Sequence, residues 1–422
     1  MNDYERVINH LTGFVAADGN GQNSCDNTNH TIIDKISIDG EDGGDVHRYI
    51  NAFWTARQRQ AANIHEISYR ACFKPQLPRF FISLLTAPGE RVYDPFGGRG
   101  TTAIESGLLG RVPISNDINP LSSVLIRPRL CIPDLSELSG RLNRIPVADG
   151  ASADLDLSMF YHPDTEAGIV SLRSYLLDRE ESGKYDMLDA WIRMVATNRL
   201  TGHSPGFFSV YTLPPNQATT QKRQKKINEK RNQTPPLRNV NGIILKKSRQ
   251  LIKGLTPDDI LRLQTAGKDA MLLAEDARCT NTILDNSVRL TVTSPPFLNM
   301  VQYSSDNWLR CWFNGIDDKK VSTGITVPTS ISTWSNIMGD VFHELFRITV
   351  DGGWVAFEVG EVSCGTVRLD EVVVPLGKKA GFSCAGIVIN QQDFTKTANI
   401  WGISNMKGGT NTNRIVLFEK EG

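Results

Sequence analysis

The stretch Thr293-Ser294-Pro295-Pro296-Phe297 combines residue types that could do chemistry. It follows the apolar run Val288-Arg289-Leu290-Thr291-Val292, which reads as a buried strand ending in a sharp break. Two consecutive prolines continue neither a helix nor a central strand. They fix an extended turn and leave the Pro295 carbonyl without a competing amide. Ser294 adds a hydroxyl, and Phe297 adds a flat apolar face. An acceptor-rich cup beside an aromatic plate suits a planar ring bearing an exocyclic amine. The same pentapeptide also reads as ordinary strand-ending punctuation with a core Phe.

A second stretch lies near residue 95. Arg91-Val92-Tyr93 is a short strand that runs into Asp94-Pro95-Phe96-Gly97-Gly98-Arg99-Gly100-Thr101-Thr102. Strand, glycine turn, then helix is the geometry of a nucleotide site in an open α/β sheet, because glycines allow close backbone approach and the helix start offers free amides. No Lys-Ser/Thr pair follows the glycines, so it is not a P-loop, and the glycine spacing differs from the dinucleotide fingerprint. The next strand, Gly110 to Asn116, ends at Asp117, about 20 residues after the turn, the spacing of a carboxylate that grips ribose hydroxyls. Asp117 alone would equally suit a helix N-cap.

The elements that must hold these stretches follow from the rest of the chain. With 422 residues, 40% hydrophobic and 22% charged, it is an ordinary globular composition with a sizeable core. Formal net charge is zero, so nucleic-acid binding requires a local basic patch. Seven scattered cysteines without a Cys-x-x-Cys pair give neither a disulfide framework nor a zinc site, so no metal is expected. With no apolar leader and no membrane-length run, a soluble, cytoplasmic protein is expected. Residues 1–45 are polar and read as an N-terminal arm, and 46–62 have helical spacing. Residues 46–120 form the first part of an α/β domain and 268–422 its second part. Between them, 121–267 is an insertion with helices over 164–198 and 257–265. It contains Gln221-Lys222-Arg223-Gln224-Lys225-Lys226-Ile227-Asn228-Glu229-Lys230-Arg231, a concentrated basic run. Lys222, Arg223, Lys225, Lys226, Lys230 and Arg231 are candidate phosphate contacts, though a solvated helix face would look the same.

Taken together, the two stretches resemble the amino-group DNA methyltransferases. Asp94 to Thr102 looks like their S-adenosylmethionine motif, and Thr293 to Phe297 like their catalytic motif, in the Ser-Pro-Pro-Phe form typical of the N4-cytosine enzymes. The resemblance covers roughly 60–110 and 268–420. It implies a Rossmann-like, seven-stranded α/β methyltransferase sheet with an inserted, largely helical target-recognition region. It implies S-adenosylmethionine as cofactor, held by Tyr69, Phe73 and Lys74 on its methionine part, by Asp94, Phe96, Gly97, Gly98, Gly100, Thr101 and Thr102 in the loop, by Asp117 and Ile118 at the ribose, and by Asp276 at the adenine amine. Arg99 stands where that loop usually has a small residue. The insertion begins after the second strand, earlier than in that arrangement. Ser294, Pro295, Pro296 and Phe297 would hold the N4 amine of a cytosine flipped out of duplex DNA. No Pro-Cys pair occurs, so the covalent 5-carbon route has no nucleophile. The implied partner is double-stranded DNA, with a cognate restriction endonuclease in a restriction-modification or defence setting. Adenine-N6 methylation by the same parts, or a non-catalytic DNA-binding specificity protein, are the alternatives.

Overall fold

The computed structural model describes residues 3–16, 30–40, 42–54, 61–70, 72–213, 219–296, 303–324, 328, 330–362, 367–391 and 412–422. In chain order, the first elements are α1 (Asp3–Thr12), β1 (Ile32–Ile38), β2 (Gly44–Asn51), α2 (Gln76–Leu85), β3 (Arg91–Asp94), α3 (Thr101–Leu108) and β4 (Val112–Asn116). A helical stretch follows: α4 (Leu121–Ile126), α5 (Leu135–Asn143), α6 (Pro163–Glu181), α7 (Met187–Arg199), α8 (Gln221–Arg231), α9 (Val240–Ile252) and α10 (Pro257–Asp269). The sheet resumes with β5 (Met271–Leu273) and β6 (Val288–Thr293), then α11 (Tyr303–Phe313), α12 (Asp318–Gly324), α13 (Ile331–Ile348) and β7 (Thr349–Val359). The last elements are the small pair β8 (Glu361–Val362) and β9 (Val367–Arg368), α14 (Leu369–Lys379), β10 (Ser383–Gln391) and β11 (Thr412–Glu419).

One sheet runs in the order β1-β2-β10-β11-β7-β6-β3-β4-β5. From β5 to β7 all neighbours are parallel, while β11 is antiparallel to both β7 and β10. The seven strands from β5 to β10 form a mixed, mostly parallel α/β sheet. The sheet is nine-stranded rather than seven-stranded, because β1 and β2 form a hairpin and β2 joins β10 in parallel. Residues 32–51 are therefore not arm and helix. The apolar positions Val46, Tyr49, Ile50 and Phe53 fit helical spacing, but Val46 with Ile50 and Tyr49 with Phe53 also suit the two faces of a strand covered on both sides, and pairing at both edges decides. Helix α1 also belongs to the folded body, since Val7 and Leu11 are buried.

Helices cover both faces, as a largely parallel sheet requires. The period-2 alternation of β7 and β11 sorts the core. Trp354, Ala356, Ile415 and Leu417 face a layer that includes α1 and α2. Val355, Phe357, Val416 and Phe418 face α13 and α14. Helix α10 starts with a Thr256–Asp259 capping box and Pro257 in its first turn. It packs on α3 and β4, so closely that a Cβ on Gly107 would lie 3.0 Å from Leu263. It thus takes the crossover position before β5. Helices α4, α5, α6, α7 and α9 share their hydrophobic cluster with α11 through Leu309 and Phe313.

The chain proceeds outward from β3 to β4 and β5, then returns to β6 on the opposite side of β3. This reversal is a topological switch point, and crevices for ligands open there at the carboxyl ends of the strands.

Candidate active site at the carboxyl edge of the sheet

Strand β3 ends at Asp94 and β6 at Thr293, side by side at the switch point. The Thr293 hydroxyl donates to Asp94 Oδ1 at 2.7 Å, and the Phe96 amide donates to the same oxygen at 3.1 Å. Burial pushes the Asp94 carboxyl up to about 6, against these hydrogen bonds. The Thr102 hydroxyl donates to the Val292 carbonyl at 3.1 Å, fastening the start of α3 to the end of β6. The two stretches are thus locked together before any ligand arrives.

The glycine turn is shaped by close approach. A Cβ on Gly97 would lie 2.1 Å from Ser115 Oγ, and one on Gly100 would lie 2.2 Å from Ile126 Cγ1. Gly100 also has φ +77°, which strains any other residue. Asp117 is gripped from two sides: the Gly98 amide donates to Oδ2 at 2.8 Å and the Asn119 amide to Oδ1 at 2.9 Å. Burial raises the Asp117 carboxyl above its ordinary range.

A single cavity brings together Tyr69, Phe73, Asp94, Phe96, Gly97, Gly98, Thr101, Asp117, Ile118, Asp276, Ser294 and Pro296. Four carboxylates line it (Asp94, Asp117, Glu275 and Asp276) against one cation, Arg278. Arg278 Nη2 reaches Asp276 Oδ2 at 2.6 Å and holds that carboxyl below its usual range. Two buried polar atoms in the lining, Asn119 Nδ2 and Glu275 Oε2, have no partner among the described residues. Lys74, Gly100, Thr102 and Pro295 are not in its lining. Phe297 lies outside the described residues.

The Pro-Pro cup is held from below. Trp334 of α13 is buried, and its indole N–H donates to the Pro296 carbonyl at 3.1 Å. Sequence reasoning did not single out Trp334, nor Glu358 near the end of β7. Glu358 is buried, hydrogen-bonded to the Asn413 amide and to Ser294, and burial pushes its carboxyl up to about 7. The signal was present: one acid inside Trp354-Val355-Ala356-Phe357-Glu358-Val359. Arg99 also gains a position. It donates to the Ile67 carbonyl at 3.0 Å and the Phe73 carbonyl at 3.4 Å, tying the 67–73 segment to the glycine turn. Fully buried Arg129 in turn donates to the Arg99 carbonyl.

The six basic residues of the run are all exposed on α8, and none lines this cavity. Lys225 pairs with Asp156 at 3.0 Å, and the Arg231 guanidinium lies 3.8 Å over the Tyr211 ring. Among the described residues no cluster of His, Cys, Asp and Glu could hold a metal ion, and no helix is long and apolar enough to cross a membrane.

Residues 26–122 match the family described as DNA methylase, a segment that contains β3, the glycine turn and Asp117. No curated protein is a significant match. Similar solved structures include TrmN from Thermus thermophilus, at 12% identity and TM-score 0.31, covering 86% of this chain and 52% of that one. A candidate DNA modification methylase, also from Thermus thermophilus and complexed with S-adenosyl-L-methionine, is 21% identical at TM-score 0.22, covering 35% of this chain and 54% of that one. The rRNA methyltransferase aviRa from Streptomyces viridochromogenes is 11% identical at TM-score 0.33, covering 87% and 92%. This chain spans about half the length of the first two.

Proposed function

We propose that the protein is an S-adenosylmethionine-dependent methyltransferase of nucleic-acid bases, acting on the exocyclic N4 amine of a cytosine flipped out of duplex DNA. The observation that carries this reading is the junction of β3 and β6, where the acid-lined cavity meets the Ser294–Pro296 cup. The match of residues 26–122 to the DNA methylase family supports the same reading.

The cavity suits that cofactor by its own chemistry. Its carboxylates favour a cationic ligand, Tyr69 and Phe73 offer apolar faces, and Asp117 stands where ribose hydroxyls are held in sheets of this kind. The orphaned Asn119 and Glu275 atoms give a polar nucleoside further partners. When bound, the cofactor supplies an electrophilic sulfonium methyl.

The chain's own residues prepare the amine. An aromatic amine is a poor nucleophile because its lone pair is delocalised into the ring. The Ser294 oxygen and the Pro295 carbonyl accept its N–H bonds, which localises the lone pair on nitrogen. Glu358, when ionised, accepts a hydrogen bond from the Ser294 hydroxyl and so turns the serine lone pairs toward the amine. Glu358 is therefore a positioning residue. Trp334 keeps the cup from drifting, so catalysis comes from orientation and preorganised dipoles. Adenine-N6 transfer uses the same cup and is the second reading, since the family match extends to the cofactor half alone. Incubating duplex DNA with the protein and methyl-labelled cofactor, then digesting to nucleosides, tests both. Label in N4-methylcytosine is expected. Label in N6-methyladenine would replace the first reading with the second, and no label in any base would overturn both.

A further inference from the structure

A second concavity lies in the helical insertion, between the end of α7, the Pro205-Gly206 turn and one face of α9. Four cations line it, Arg199, Arg238, Lys246 and Lys247, with polar Asn239 and Gln250; no acid is in the lining among the described residues. Arg199 and Lys247 are themselves buried, at 8% and 5% exposure. The Arg199 guanidinium lies 4.0 Å over the Phe207 ring and donates to the carbonyl and side-chain oxygen of Asn198. It makes no ion pair among the described residues. Lys247 Nζ is 3.3 Å from Glu66 Oε2, and Gln250 shares that carboxylate. Arg238 Nε is buried without a partner among the described residues.

Against four cations the described residues thus set one carboxylate, Glu66, which pairs with Lys247, in a chain with 46 acids and 46 bases overall. The cost shows in the groups themselves. Burial, followed by the neighbouring Arg199, pushes the Lys247 ammonium down to about 8, and burial followed by Arg310 pushes Arg199 down to about 10. Uncompensated buried cations are unfavourable, and an anion seated among them relieves both burial and repulsion. A planar guanidinium fork beside ammonium groups matches phosphate oxygens. The location adds a second argument. The segment from Glu66 to Tyr69 separates the two cavities: Glu66 faces Lys247, Tyr69 lines the acid cavity, and the Ser68 carbonyl between them accepts from Asn198 at 3.5 Å and Arg310 at 3.1 Å. Three residues of extended chain span at most about 10 Å.

We propose that the concavity formed by Arg199, Arg238, Lys246 and Lys247 is a phosphodiester-binding site, gripping the backbone of the nucleic acid whose base enters the Ser294–Pro296 cup. The inference rests on the function proposed above and adds where the backbone is held. It places the strongest backbone contact on α7 and α9 rather than on the exposed run of α8.

The test is fluorescence anisotropy of labelled duplex DNA with the full chain over a range of salt. The rim variant R238Q/K246Q changes partly exposed residues, and R199Q changes the interior. S-adenosylmethionine binding serves as the folding control, because the acid cavity uses other residues. The variant K184Q/K268Q removes the same charge from exposed positions elsewhere. The expected result is at least tenfold weaker binding for R238Q/K246Q, with the salt slope lowered by about two, near 0.9 for each lost phosphate contact. R199Q weakens binding similarly, and K184Q/K268Q leaves it unchanged. Wild-type affinity and slope in both pocket variants, with duplex binding intact, would overturn this site while leaving the proposed function standing. A wild-type protein that binds no nucleic acid would overturn both. Inorganic pyrophosphate that binds the wild type but not R199Q, with duplex affinity unaffected in either variant, would make this a small-anion site and overturn the nucleic-acid assignment.

Discussion

The cavity at the sheet edge and the concavity in the helical insertion are built from opposite charges on two sides of the same short segment. The first sets four carboxylates against one arginine, the second four cations against one glutamate. Both hold buried charge at a cost in stability, as sites poised for an oppositely charged ligand do. The difference lies in how each is held. Backbone amides fix the acids of the sheet edge, through Gly98 and Asn119 on Asp117 and Phe96 on Asp94. In the insertion, Arg199 is held by the Phe207 ring and Asn198, and Lys247 by Glu66 and Gln250. A site fixed by backbone needs a specific loop conformation and leaves a motif in the sequence. A site assembled from long side chains on separate helices leaves none.

If the two cavities serve different ligands, a change in one should spare the other. The largest expected effect is at the cup. Ser294→Ala should lower kcat by about 10²- to 10³-fold, the usual cost of deleting one preorganised polar contact to the reacting group. Cofactor and duplex affinities should stay near wild type. Single-turnover transfer from labelled cofactor measures this, and wild-type turnover in the variant would remove Ser294 from the chemistry.

Next is Asp117→Ala. It strips the Gly98 and Asn119 amides of their acceptor as well as removing the proposed ribose contact. Leaving such groups unsatisfied costs roughly 1–3 kcal/mol each. Cofactor affinity by calorimetry should fall about 100-fold. Duplex affinity without cofactor should not change, and a parallel loss of duplex binding would show that the two cavities are coupled.

A smaller effect is expected at Glu358, whose carboxyl sits at about 7 because it is buried. The sign follows from the shift. The folded value lies above the ordinary 4.5, so ionisation disfavours the fold, and this contribution to stability is lost as pH rises from about 4.5 to about 7. The ionised form is the one that accepts the hydrogen bond from the serine hydroxyl, so kcat should rise through pH 7 and level off above it. Glu358→Gln should be slower and lack that inflection, yet melt higher than wild type at pH 8. An inflection that persists in the variant would belong to another group, such as Asp94 at about 6.

The legible parts of the chain were those where backbone conformation is dictated locally. Asp94 to Thr102 and Thr293 to Pro296 read as strand-end turns, because only glycine and proline satisfy such turns. Strands β3, β4 and β6 read directly from the apolar runs beside these turns, whereas the seven-stranded sheet as a whole was what the family resemblance implied. Residues 46–53 suit either period through their four apolar positions, Val46, Tyr49, Ile50 and Phe53, and only the pairing of 44–51 with β1 and β10 chooses between them. Glu358 and Trp334, and the role of Arg99, escape a sequence reading for a different reason. Each acts across more than 25 positions of sequence, on Ser294, on the Pro296 carbonyl, and on the Ile67 and Phe73 carbonyls. Nothing local marks such a contact. The basic run of α8 was conspicuous in composition and is exposed in the fold, whereas the four cations of the concavity are spread from 199 to 247.

That contrast gives the last and smallest prediction. The α8 cations are solvated, and Lys225 already pairs with Asp156. Exposed charges act on a polyanion mainly through the screened field, so they contribute less per residue than desolvated ones. Lys222→Ala with Arg223→Ala and Lys226→Ala should weaken duplex binding only severalfold at moderate salt, with most of the loss in the association rate. The per-charge loss should fall below that of R199Q, whose side chain is buried, and the two should add, because distant contacts to one polyanion act independently. Stopped-flow anisotropy across a salt series measures both. If the α8 triple variant loses more affinity per charge than the pocket variant, the backbone grip lies on the exposed helix face, and the concavity beside α9 has another use.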